Sequence, residues 1–292
     1  MVMRRVLRHH VCLCVLSTAV LASLALLTDQ NKVYAGLNCK GVANPSGNGS
    51  SSDNNKGRIE CDGKSNGRGD GKGQLSGKRT IDMSETGGKG TSNSGHPAVK
   101  VHGRGTNITI SSELKITDSG SNNNPAIQVE NGGVLTVNNV TMTDVHKGIE
   151  VSGGGSSVTV VKGSIEVRNG GGAVIEVRDG GDVTLNRGVK VSGGGDNTGI
   201  EVNGTGGTVT LVGTNFSKVK TGIVFKGTGT ANVVGVGATI NLASGGTGIK
   251  MEGDGRANAT VMNMAFMGNR TATGAEVTSG TLTVNTVTMT NV

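Results

Sequence analysis

Acids, histidines and thiols are the groups with which this 292-residue chain would do chemistry, and they are thinly spread. Hydrolysis of a glycosidic bond needs two carboxyls close together, one to give a proton and one to take it or attack. Asp196 opens the run Asp196-Asn197-Thr198, but no second aspartate pair follows it. His96, His102 and His146 lie far apart in sequence, and no serine or cysteine nucleophile has an evident base partner. They read as surface histidines. Two thiols, Cys39 and Cys61, with no close histidine are too few for a structural zinc site. Gly253-Asp254-Gly255 is too isolated to form tandem nonapeptide calcium repeats. No catalytic, cofactor-binding or metal-binding constellation is expected.

The elements that would carry any site are far more legible. From residue 97 onward one phrase recurs eight times: PAVKV, PAIQV, KGIEV, AVIEV, TGIEV, TGIVF, TGIKM and TGAEV. Its first apolar positions are Val99, Ile127, Ile149, Ile175, Ile200, Ile223, Ile249 and Ala275, spaced 22 to 28 residues apart. That period belongs to solenoids. Each repeat holds three short runs alternating apolar and polar residues, the signature of strands with one buried face. In the coil that starts at Ile127 these are Ile127–Val129, Val134–Val137 and Val140–Met142. Glycine-rich corners such as Ser152–Gly155 and Gly193–Gly195 separate them. A strand this short buries its apolar side only when coil stacks on coil. The fold expected is all-β, a right-handed parallel β-helix of about eight coils with three short strands each.

Stacking turns repeat positions into columns. The outward residue of the first strand runs Lys100, Gln128, Glu150, Glu176, Glu201, Val224, Lys250, Glu276. Three adjacent glutamates about 5 Å apart repel unless cations compensate, and a solvated, screened face is expected here. The second strand offers Thr109, Thr136, Thr159, Thr184, Thr210, then a lapse, then Thr260 and Thr283. Threonine is a favoured strand residue, so this column needs no further role.

Residues 1–35 read as an export signal: Arg4, Arg5 and Arg8, an apolar stretch Val11–Leu27, and Val33-Tyr34-Ala35 before Gly36. Removing them takes away four basic residues and one acid, so the net charge falls from +7 to +4. The remaining cations are scattered, and the three phenylalanines are the only aromatics left. Nucleic acid is therefore not an expected partner, since bases would find no stacking platform. Cys39 and Cys61 are expected to form one disulfide in the exported chain. Residues 36–96, rich in Gly, Ser, Asn and Lys, read as a partly irregular N-terminal cap region, and residues 97–292 as the β-helix. Leu282–Val292 nearly repeats Leu135–Val145, so the helix is expected to stop inside a coil, as a truncated relative of a longer protein would.

A long basic signal, a cysteine-containing cap and irregular Gly/Asn/Thr coils together resemble the passenger domain of bacterial autotransporters. The resemblance is to surface and secreted types of host-associated alphaproteobacteria. It implies a non-enzymatic protein at the cell surface, or secreted, or periplasmic without a translocator. The partner implied is a host cell-surface or extracellular-matrix protein, in adhesion or signalling, with no small-molecule substrate. The outer-membrane β-barrel that translocates such passengers is not expected in this chain. Arg68-Gly69-Asp70, in the most glycine-rich stretch, matches an integrin-type tripeptide. The run Asp196–Ile200 superficially resembles the Asn-Thr-Asp motif of pectin-degrading β-helix hydrolases. Its acid precedes the Asn-Thr rather than following it, and a polysaccharide lyase or hydrolase on a pectin-lyase-like scaffold stands as the alternative function.

Overall fold

A computed structural model describes residues 39–40, 57–63, 72–85, 93–186 and 188–292. The export signal and Arg68-Gly69-Asp70 lie outside the described residues. The described chain is a parallel β-helix, all strand and corner with no helix.

The eight phrases become eight successive rungs. Val99 pairs with Ile127, Ile127 with Ile149, and so on through Ile175, Ile200, Ile223, Ile249 and Ala275, every pairing parallel. About seven turns separate the first of these rungs from the last. Each isoleucine is fully buried, and a second inward ladder runs beside it through Val101, Val129, Val151, Val177, Val202, Phe225 and Met251. Val277 and Val284, which continue inward ladders onto the last rungs, are 51% and 46% exposed.

The helix starts earlier than the repeated phrase. Five strands open the described chain: β1 (Cys39–Lys40), β2 (Ile59–Cys61), β3 (Lys72–Leu75), β4 (Arg79–Asp82) and β5 (Val99–His102). Ile59 of β2 stacks on Val99 of β5, while β3 and β4 pair in parallel with the strand Asn107–Thr117. The strands β2, β3 and β4 therefore form a rung of the helix inside the stretch whose composition suggested an irregular cap. Its turn takes so many residues that no period shows through.

Why glycine precedes the first apolar position in five of the eight phrases is a matter of space. A Cβ on Gly222 would lie 2.5 Å from the carbonyl oxygen of Gly248 and 3.0 Å from Cε1 of Phe266. No side chain fits at such distances, so the stacked glycines let the rungs close over the buried phenylalanine rings.

The threonine column runs true from Thr109 to Thr210, then departs from expectation. Val234 follows Thr210, Met262 follows Val234, and Thr260 stands opposite Asn232 in the neighbouring column, with Thr283 beyond it. The cause lies in the corner before this strand. Met251 to Asn258 spans seven residues, whereas their partners Phe225 and Thr230 are five apart.

Candidate functional site: a charged ladder and a polar corner

Alternation along the first strand of each coil turns Glu150, Glu176 and Glu201 to the same outer face on consecutive rungs. The same rule puts Arg178, two residues after Glu176, beside it. Lys147 reaches in from the corner. Its Nζ lies 2.8 Å from Glu176 Oε2 and 3.7 Å from Glu150 Oε2, and the Arg178 guanidinium closes on Glu176 Oε1. Lys226 holds Glu201 at 3.0 Å. Gln128 donates to Glu150 from the rung before.

At Glu176 this face departs from the solvated, screened surface expected from the sequence: that residue is only 2% exposed, whereas Glu150 and Glu201 are half-buried and Glu276 is exposed. Burial by itself pushes its carboxyl up, but hydrogen bonds from Lys147 and Arg178 outweigh that and hold it below the usual carboxylate range. Arg178 is raised in turn, its burial outweighed by Glu176. A general acid working near neutrality needs the opposite tuning, a carboxyl kept protonated. The ladder supplies fixed, ionised, mutually neutralised charge. It is built for cohesion between rungs.

The corner between third and first strands gathers a second polar set. Asn122 and Asn197 are buried there. Asn122 Nδ2 donates to the carbonyls of Met83 and His96, and Asn197 Nδ2 to those of Arg168 and Gly172. Asp196 accepts from the Gly170 amide at 3.0 Å. The run Asp196-Asn197-Thr198 thus caps backbone groups of the adjacent coil, and its one acid is already engaged. Arg168 straps this corner to one two coils away, donating to the carbonyls of Gly120 and Asn122 at 2.8 Å each. Its Nη1 lies 2.9 Å from Oδ2 of fully buried Asp118, an oxygen that accepts no hydrogen bond. An open cavity of about 390 Å³ lies beside Asn122, lined by Ser84, Ser94, Gly95 and Ser121–Asn124.

The three histidines do not converge. His96 is exposed on the same corner. His102 Nε2 lies 3.7 Å from Glu60. Half-buried His146 is held below its ordinary range by burial first and then by Arg168 and Lys147. Among the described residues, no group of three acid, histidine or cysteine side chains is placed to hold a metal ion. Cys39 and Cys61 are joined in a disulfide.

Sequence reasoning found the glutamate column but missed its cations. The two-residue spacing of Glu176 and Arg178 was the available signal. Arg168 and Asp118 carry none, because their contact bridges 50 residues of chain. No protein-family model, no curated protein and no solved structure matches the chain.

Proposed function

We propose that this chain is an exported, non-enzymatic β-helix rod, similar to an autotransporter passenger, that binds a host cell-surface or extracellular-matrix protein through faces shared by several coils. One observation carries the reading: the first strands of eight repeats hold register, so their outward side chains form a continuous column. Contacts in a solenoid run only between neighbouring coils, so recognition is spread along a face rather than gathered in a cleft. The most prominent acids are neutralised by cations on their own face, which suits a docking surface better than proton transfer.

The test is binding of the mature chain to host cells and to immobilised matrix proteins, with an Arg68→Ala variant alongside. Saturable binding supports the reading, and its absence across cells and matrix proteins sinks it. Loss in the variant assigns binding to the tripeptide, and retention assigns it to the coils. Polysaccharide lyase or hydrolase action predicts unsaturated or reducing ends from pectin-like polymers, and the same preparation is assayed for both.

A further inference from the structure

Among the described residues every strand pairing is parallel except one. The strand β1 runs antiparallel to β2, with Cys39 opposite Cys61 and Lys40 opposite Glu60. The inner edge of β2 is taken by β5, and the Ile59 amide donates to Ala98 O at 2.8 Å on that side. Backbone groups alternate along a strand, so Glu60 presents its amide and carbonyl to the outer edge, where β1 sits. Two residues of pairing hold β1 only weakly, and the covalent bond keeps it seated. Cys61 is buried at the head of the ladder that continues through Val101 and Val129, and half-buried Cys39 packs against that core.

We infer that the outer edge of β2 is an interaction edge for a second copy of this chain, kept closed by β1 while the disulfide is intact. The antiparallel seat of β1 fixes the direction a replacement strand must take. Two β2 edges related by a two-fold axis run in that direction. The charges also fit. With Ile59 opposite Ile59 of the second copy, Arg58 of each copy faces Glu60 of the other, as cross-strand pairs on one face. These are the residues that now pair within one chain at 2.6 Å. The interface is self-complementary and closes as a dimer instead of growing into a fibre.

The opening step is thiol–disulfide exchange. A dithiol reductant attacks Cys39 Sγ as thiolate, a mixed disulfide forms, and Cys61 leaves as thiolate and takes a proton. The second reductant thiol then displaces Cys39 as thiol. The reductant ends as a disulfide, two electrons having passed to the protein.

Sedimentation equilibrium of the mature chain, with and without dithiothreitol, tests this inference. The oxidised chain is expected at monomer mass and the reduced chain at twice that. Cys39→Ser combined with Cys61→Val continues the valine ladder, forbids an intermolecular disulfide, and is expected to dimerise without reductant. In that background Glu60→Arg is expected to abolish the dimer, and Arg58→Glu with Glu60→Arg to restore it. Hydrogen exchange at Val101 reports whether the first rung stays folded. Equal masses in both redox states, a dimer that survives Glu60→Arg, or loss of Val101 protection on reduction would each overturn the inference.

Discussion

Lys147 stands one rung before Glu176 and holds its buried carboxylate at 2.8 Å, while touching Glu150 on its own rung at 3.7 Å. One ammonium thereby ties two coils together through groups that would otherwise repel. Removing it leaves Glu176 with Arg178 alone. We expect Lys147→Ala to cost about 1–3 kcal/mol in urea unfolding, the range for a buried charge-assisted bond lost from one side. Glu176→Gln combined with Lys147→Ala should cost less than the sum of the single changes, and strict additivity would refute the coupling.

Acidification should weaken the same joint. The folded carboxyl of Glu176 lies below its unfolded value, so the unfolded chain binds more protons in the interval between the two. The stabilisation is present above the unfolded value, about 4.3, and is lost as pH falls through the folded one. Asp82 behaves alike: burial raises it, but hydrogen bonds from Ser84 and Ser119 prevail and lower it. Urea midpoints measured between pH 7 and pH 2 should fall less steeply for Glu176→Gln than for the native chain.

Arg168 makes a second long-range strap. Its truncation to alanine should cost about 3–5 kcal/mol, because it strands a fully buried Asp118 carboxylate and two carbonyls. Adding Asp118→Asn removes the stranded charge and should recover part of the loss. Limited proteolysis between Asp118 and Asn124 gives an independent readout, with faster cleavage in Arg168→Ala alone.

Gly222→Ala tests the close approach of rungs. The added methyl meets a carbonyl oxygen and the Phe266 ring, and overpacking of this kind costs about 1–3 kcal/mol. Gly255→Ala, where a methyl meets nothing within 4 Å, should be close to neutral by the same thermal-melt comparison.

The proposed export has its own mark. Cleavage after Ala35 would leave Gly36 as the first residue and remove Cys12 and Cys14. Intact mass of the exported product, before and after reduction, should show one disulfide and no free thiol.

Sequence alone carried the wall of this fold because alternation and recurrence act locally. Ile149 and Ile175 announce their pairing by the phrase around them, and the register follows. The Thr260 misplacement shows where that logic ends: a corner lengthened by two residues shifts a strand along its neighbour without altering its own pattern. Ile59 stands out as an apolar anchor, but its rung does not show in the sequence, since its partner Val99 lies across a turn far longer than the others. The charged sites escaped because Lys147–Glu176 and Arg168–Asp118 are made by side chains that reach across coils, and no local spacing encodes such reach.

The uneven spacing of the eight phrases, set against their even register, separates two rates of change. Residues gained or lost at a bend leave every inward isoleucine facing the same neighbour, whereas a single residue gained within a strand turns its whole inner side outward. Over evolutionary time the bends of this rod can change length, outside corners tied by buried groups such as Asn122 and Asn197, while its walls stay almost fixed. Variation between related chains should therefore concentrate at the bends and spare the inward ladders.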